Sequence, residues 1–434
     1  MAYSNIDAYS HIDGMSDFQA RRRHASHVGN LARQTLRLCL IFVLGLGLFG
    51  LASLHNEARA ASRSDDFAAF LAELWPDAQA AGITRATFDA ALDGVRPDAA
   101  IIALTHKQAE FVKPIWSYID GAVSANRISR GQTMNGEWDQ TLKQVEARYG
   151  VDRSIVLGVW GMETNFGSNS GNIYTIKALA SLAFAHYRGD FFRKELILAL
   201  KILQNGDVAR EDMRGSWAGA MGQTQFMPSA FQQYAVSASG SSKRDIWSNV
   251  PDALASTANY LKEHGWIAGE TWGYEVHLPQ NYDFRHTGQT AFPAWIASGF
   301  TRTDGEPMPT AGTAALLLPA GRNGPAFLLT PNFQVIKTYN NSLAYALGVA
   351  LLADRIAGES GLKTPWPRRQ PMLSMAQTRE LQRLLAKKGY NIGNIDGKLG
   401  EKAFEAVRLE QKRIGLLPDG YPTPQLLEKM HKAL

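Results

Sequence analysis

The sequence predicts a mainly α-helical chain: a multi-helix core interrupted by a small β-containing insertion, followed by a separate three-helix module. Three observations carry this. Apolar residues recur at helical spacing through much of 64–265 and again over 337–358. From Tyr274 to about Ile336 the pattern changes to short apolar runs punctuated by Pro and Gly, such as Ala314 to Leu318 and Ala326 to Leu329, which is the pattern of short strands. Residues 361–372, GLKTPWPRRQPM, hold three prolines and three basic residues and read as a linker. The divisions are 1–60, a basic leader with an apolar segment; 61–360, the main domain; 361–372, the linker; and 373–434, the module.

In the leader, an uncharged apolar run of about seventeen residues from Leu38 to Leu54 follows Arg21, Arg22, Arg23, Arg33 and Arg37 and precedes Ala58-Arg59-Ala60. A basic n-region, an h-region and an A-x-A site make a cleaved signal peptide. The alternative is an uncleaved anchor, because about seventeen residues just reach the lower limit of a membrane span. Either way the chain beyond about residue 61 is exported; Met15 as the start would shorten the n-region. Cys39, the single cysteine, excludes an internal disulfide, a zinc knuckle and a paired redox motif. It opens the apolar run instead of following it, so it is no lipoprotein acylation site. Gly45, Gly47 and Gly50 spell a dinucleotide fingerprint by chance, inside a targeting run without the acidic residue that should follow.

Ser64 to roughly Val123 reads as helical, broken at Pro97, with Phe67, Phe70, Leu71 and Leu74 on one face and Phe88, Ala91 and Leu92 on the next. In QAEFVKPIWSYID, 108–120, the aromatics Phe111, Trp116 and Tyr118 suit either sugar-ring stacking or core packing. Trp138 to Tyr149 is an amphipathic helix stopped by Gly150; Ile176 to Ala185 and Phe191 to Leu203 are two more. Between those two, Tyr187-Arg188-Gly189-Asp190 places Arg188 in a cleft or is a plain turn. The stretch GSWAGAMGQTQFMPSAF, 215–231, has no charge. Ser216, Gln223 and Gln225 there can donate and accept toward a neutral polyhydroxylated ligand, while Gly219 and Gly222 also suit a tight helix crossing. After a polar loop from Ser237 to Asp245, a helix capped by Ser248 or Asn249 with Pro251 in its first turn runs through Tyr260 to Gly265. Lys337 to Gly358 returns to helix and carries Tyr345. In the module, Leu381, Leu384 and Leu385 line one helix, Phe404, Val407 and Leu409 a second, and Thr423 to His431 form a third, with Asp-Gly turns at 396–397 and 419–420.

The stretch with chemical consequence is SIVLGVWGMETNFG, 154–167, read as a helix entered at Asp152 and left at Gly167. Ile155, Val159 and Glu163 then share one apolar face, where a carboxyl loses hydration and its pKa rises toward the range of a general acid. The plain alternative is a helix end with Glu163 in solvent. No H-E-x-x-H, G-x-S-x-G or P-loop occurs in the exported chain, its scattered histidines suggest no ligand set, and no motif calls for a cofactor. A net charge of +5 and an isoelectric point near 9.1 suit an anionic partner, yet the basic residues form no comb with aromatics, which argues against nucleic acid. With 45% hydrophobic and 20% charged residues, disorder is excluded. What remains is a buried acid among aromatics and amides, the requirement for glycosidic bond cleavage. A usual glycosidase needs a second carboxylate, but Asp190, Glu195, Asp207, Glu211 and Asp212 sit in segments that read as exposed. With one carboxylate the substrate's own acetamido carbonyl or hydroxyl must finish the reaction, and Glu163 must act first as acid and then as base.

METNFG at 162–167, SWAGAMGQTQFMPSAF at 216–231, NVPDALASTANYLKEHGW at 249–266 and YNNSLAYALGV at 339–349 together resemble the membrane-bound lytic murein transglycosylase B family, over about residues 64–358. LQRLLAKKGY, IDGKLG and the turn at 419–423 resemble a three-helix peptidoglycan-binding domain. The resemblance implies a lysozyme-like catalytic core that cleaves the MurNAc–GlcNAc β-1,4 bond without water and leaves a 1,6-anhydro-muramic acid end, with glycan strands as partner. Glu163 matches the sole catalytic acid/base. Tyr118, Ser216, Gln225, Phe226, Tyr260, Tyr339, Asn340 and Tyr345 match the cleft residues, and Arg188 a contact to the peptide or lactyl group; Trp116 stays in the core. Rival readings are a hydrolytic muramidase and an inert wall-binding scaffold.

One departure bears on metals. Members of the best-known type carry an acidic calcium loop, where this chain has Ser237, Ser239 and Ser241 with Lys243 and Arg244 beside them. Hydroxyls flanked by two cations cannot neutralise a divalent ion as carboxylates do. The expected result is therefore an unfolding temperature that is the same in calcium and in chelator; stabilisation by several degrees in calcium would contradict it.

Overall fold

The computed structural model describes residues 65–105, 114–284 and 286–432. The leader, with Cys39 and the apolar run, and residues 106–113, with Phe111, lie outside the described residues. The first helical stretch divides into four elements: α1 over 65–80, α2 over Arg85–Leu92, α3 over Ala99–Leu104 and α4 over Ile115–Ala122. The breaks follow local chemistry. Gly82 turns the chain with φ +82°, Thr84 accepts a hydrogen bond from the Thr87 amide, and past Pro97 the Asp98 side chain caps α3 through the Ala100 amide.

Helix α5, Ala125–Glu137, is absent from the sequence reading because it lacks an apolar stripe; its buried residue is Gly131, seated against Ile356. Tertiary contact, not periodicity, holds it. Helix α6, Asp139–Tyr149, buries Leu142, Val145 and Tyr149 and ends at the left-handed Gly150, as expected. Helix α7, Arg153–Thr164, is capped by Asp152 and buries every residue from Ile155 to Gly161. It ends three residues earlier than predicted: Asn165, Phe166 and Gly167 are all left-handed (φ 49°, 58° and 76°), and the chain turns away directly behind Glu163.

The next segment pairs two short strands, β1 at Ile173–Tyr174 and β2 at Arg214–Gly215, antiparallel across helices α8, Thr175–Phe184, and α9, Phe191–Gln204. Residues 216–227 are not a helix crossing. They form a tightly turned loop, buried almost throughout, in which Gly219 lies against Leu179 and Gly222 against the Ile246 carbonyl. Helix α10, Pro228–Tyr234, and helix α11, Val250–Glu263, capped by Asn249, follow.

The insertion is an antiparallel sheet of order β4-β6-β7-β3-β5, from β3 Gly273–His277, β4 Thr290–Ala291, β5 Thr301–Arg302, β6 Thr313–Leu317 and β7 Ala326–Leu329, with helix α12, Phe292–Ala297, against it. It has its own apolar core around Phe292, Trp295 and Phe300. The return to helix comes earlier than expected and in two pieces, α13 at Pro331–Tyr339 and α14 at Leu343–Ala357. The Ser342 hydroxyl caps α14 through the Tyr345 amide, which separates the two. Helix α14 runs beside α7 at close range, since a side chain at Gly158 would meet the Val349 carbonyl and one at Gly161 would meet Leu352. The end of α7 therefore faces the start of α14.

The module comprises α15 Met375–Lys387, α16 Glu401–Arg413 and α17 Pro424–Lys432. Val407 lines its core as predicted, together with Ala403 and Ala406, whereas Leu409, also predicted there, is 47% exposed. The module rests on the main domain. Trp116, Ala320 and Tyr421 share one apolar cluster with Trp366, Arg368 pairs with Asp120 through two hydrogen bonds, and Asp419 accepts from the Arg322 amide. Trp116 is core, as expected.

Candidate active site

Glu163 occupies the last turn of α7 and is half-buried. Its Oε1 accepts a hydrogen bond of 2.6 Å from the hydroxyl of Tyr345, in the first turn of α14. Although some of the side chain reaches solvent, the carboxyl is crowded enough that desolvation lifts its pKa from 4.5 to about 8, against the opposing pull of the Tyr345 hydrogen bond. At neutral pH the group is a carboxylic acid. Tyr345 is 2% exposed, and burial together with the neighbouring Glu163 raises its pKa well above the tyrosine range, so it stays a neutral donor. Sequence reasoning placed Tyr345 in the cleft; its partner turns out to be the acid itself.

Beneath these two lies an aromatic floor. Phe226, Tyr260 and Tyr339 meet pairwise with ring centroids 4.8–5.9 Å apart. The Tyr339 hydroxyl donates to the Thr224 carbonyl at 2.8 Å and that of Tyr260 to the Thr338 carbonyl at 2.8 Å. Tyr339 and Phe226 are 0% and 1% exposed, too deep to touch a ligand in this conformation. Both rings stand in the wall around the acid. Burial raises the pKa of both Tyr260 and Tyr339, and the charge of Glu163 adds to it.

Ser216 and Gln225 lie in the buried loop. The Ser216 hydroxyl accepts from the Ala220 amide at 3.1 Å, and the Gln225 amide nitrogen donates to the Ser170 and Gly222 carbonyls, both at 2.9 Å. Gln225 is left-handed at φ 51°, a strain its two hydrogen bonds offset. Asn340, 7% exposed, sits in the break between α13 and α14. Tyr118 packs from α4 onto α14 beside Met162 and Gly348, near enough that its charge influences Tyr345. Arg188 lies in the exposed turn between α8 and α9, left-handed at φ 60°, with its guanidinium 5.3 Å from the Tyr187 ring.

Two carboxylates expected to be exposed are buried. Glu195 accepts from the Ser229 hydroxyl and amide, and Asp207 from the Arg244 guanidinium and amide. Both are committed to structural partners. Gln223, read as a ligand-facing amide, is likewise 6% exposed and held by Trp160, Thr164 and Trp247. In the polar loop, Ser237 bonds Ser239 and Ser241, and Asp252 accepts from the Ala238 and Asp245 amides. Among the described residues, no group of three or more His, Cys, Asp or Glu is placed to hold a metal ion.

This geometry has counterparts. Residues 66–354 match the Transglycosylase SLT domain family, and residues 374–430 match a peptidoglycan binding domain family. The structure is similar to SltB3 from Pseudomonas aeruginosa in complex with NAG-anhNAM-pentapeptide, with a TM-score of 0.80 and 45% identity, covering 84% of this chain and 99% of that one. It is also similar to the Escherichia coli lytic transglycosylase Slt35 in complex with calcium, with a TM-score of 0.56 and 28% identity over 67% of this chain and 92% of that one. In sequence it is 32% identical over 242 residues to the membrane-bound lytic murein transglycosylase B of Escherichia coli K12, a match spanning 54% of this chain and 65% of that relative. With the family matched over most of the chain, and the fold shared with its solved members, the chain belongs to the Transglycosylase SLT domain family.

Proposed function

We propose that the protein is a lytic murein transglycosylase that cleaves the MurNAc–GlcNAc β-1,4 bond of peptidoglycan, with Glu163 as acid and then base. The observation that carries this reading is the Glu163 carboxyl, protonated at neutral pH because desolvation lifts its pKa to about 8, and held by a neutral tyrosine hydroxyl. In the first step Glu163 donates its proton to the glycosidic oxygen, the C–O bond breaks, and the departing sugar leaves as an alcohol. Positive charge on the muramyl ring is met by the substrate's own acetamido carbonyl. In the second step the Glu163 carboxylate recovers a proton from the C6 hydroxyl of the same sugar as that oxygen closes on C1. The product is a 1,6-anhydro end, and Glu163 is protonated again. Glu195 and Asp207, tied to Ser229 and Arg244, are not free to activate a water.

Tyr118, Ser216, Gln225 and Asn340 are assigned to the sugars and Arg188 to the peptide or lactyl group, while Phe226, Tyr260 and Tyr339 shape the cleft wall. Residues 61–360 form the catalytic domain, 361–372 the linker and 373–434 the wall-docking module. Residues 1–60 direct export to the periplasm, as a cleaved signal or, through the apolar run, as a membrane tether. The test is the mass of the products released from purified murein. The expected muropeptides carry anhydro ends and are lighter by one water than hydrolysed ones; water-added ends would make the protein a muramidase.

A further inference from the structure

Gln223 makes four hydrogen bonds, two to the end of α7 and two to the 246–247 segment. Its Oε1 accepts from the Trp160 indole at 3.0 Å, and its backbone carbonyl accepts from the Thr164 hydroxyl at 3.1 Å. Those two residues bracket Glu163 on the same helix, three before and one after it. The Thr164 hydroxyl also accepts from the Gly167 amide at 3.0 Å, which closes the left-handed turn behind the acid. On its other side, the Gln223 side-chain nitrogen donates to the Trp247 carbonyl at 3.1 Å and its backbone amide to the Ile246 carbonyl at 2.8 Å. A Cβ on Gly167 would stand 2.5 Å from Gln223 Oε1, so the turn and the amide are fitted to each other.

The segment that receives Gln223 is itself anchored. Trp247 donates from its indole to the Arg214 carbonyl at 3.0 Å and packs on Phe231, with ring centroids 5.5 Å apart. Arg244 is fixed by the buried Asp207, with Nη2 to Oδ2 at 2.8 Å, and its guanidinium lies 4.5 Å from the Phe231 ring. The fixed end is the 244–247 segment, and the end being held is the catalytic turn.

We propose that Gln223 is a positioning residue for Glu163: it clamps the last turn of α7 to the 246–247 segment and so keeps the carboxyl in register with the Tyr345 hydroxyl and the scissile oxygen. An amide meets both demands at every pH, an acceptor toward Trp160 and a donor toward Trp247. The inference rests on Glu163 being the acid, and the experiment separates the two.

Gln223→Met keeps the volume but loses both side-chain bonds. Turnover of murein is expected to fall at least about tenfold with KM within about twofold, because a misplaced acid costs rate more than binding. Gln223→Glu keeps the shape and guards against a misfolded Met variant. Its neutral carboxylic acid can still accept from Trp160 and donate to Trp247, whereas its carboxylate meets the Trp247 carbonyl with no proton. Its kcat is therefore expected near wild type in acid and to fall as pH rises through the introduced group's pKa, as a second titration beside that of Glu163 which the wild type lacks. Thermal unfolding at each pH confirms that the folded protein is assayed. Unchanged kcat in both variants, or a rise in KM alone, overturns the proposal. If Glu163→Gln retains activity, the assignment of the acid fails independently; if that variant is inactive while both Gln223 variants turn over normally, only the positioning role fails.

Discussion

Glu163→Gln is expected to reduce murein turnover by about a thousandfold or more while leaving murein binding intact. General acid–base catalysis by one side chain is worth about 10²–10⁴ in rate, and here one group performs both proton transfers, so the amide forfeits both. Measuring muropeptide release and sacculus pull-down with the same preparation separates chemistry from docking; equal release by variant and wild type would remove Glu163 from the mechanism. The same variant carries a stability signature of opposite sign. The native carboxyl holds its proton up to about pH 8, whereas the unfolded chain gives it up near 4.5, so the wild type loses stability as pH rises between those values. Glutamine cannot ionise and escapes that loss. The variant is expected to unfold at a temperature a few degrees above wild type at pH 8 and to match it at pH 4. A dead enzyme whose extra stability grows as pH rises from about 4.5 to about 8 identifies a carboxyl held against its solvation preference for the sake of the reaction.

Much of this arrangement was legible in the sequence, and what was not has particular causes. Helix α7 and the burial of Glu163's neighbours followed from apolar spacing, and the caps at Asp152, Asn249 and Gly150 were readable as local chemistry. Helix α5 was not, because the residue it buries is Gly131, close against Ile356, while Ile128 and Met134 are only partly buried. The early stop of α7 required three consecutive left-handed residues, two of them not glycine, and propensity gives no warning of Asn165-Phe166 in that conformation. Glu195 and Asp207 read as exposed because their partners, Ser229 and Arg244, lie 34 and 37 residues away in the chain. The same distance problem hid the function of two cleft residues. The family resemblance implied that Tyr339 and Tyr345 belonged in the cleft, but only the fold distinguishes a ring spent on the wall from a hydroxyl spent on the carboxyl.

That distinction makes Tyr345→Phe the most informative second variant. The Tyr345 hydroxyl favours the ionised form of Glu163, which exists after the first proton transfer and is developing in its transition state. A hydrogen bond to a charged group is worth about 1.5–3 kcal/mol, so its loss is expected to lower kcat by about 10- to 100-fold. Because the bond lowers the Glu163 pKa, removing it raises that pKa further: the decline in kcat expected of the wild type as pH rises through about 8 is expected at higher pH in the variant. A slower enzyme with a wider alkaline range is an unusual pairing, and it follows from an acid that holds its proton more firmly and releases it less readily. KM is expected to change little, since Tyr345 is 2% exposed and its hydroxyl faces the acid. A rise in KM with kcat and its pH profile unchanged would instead make Tyr345 a sugar contact. The pH dependence of kcat for the two proteins on one murein preparation discriminates between them, because loss of a sugar contact has no reason to move the titration of Glu163.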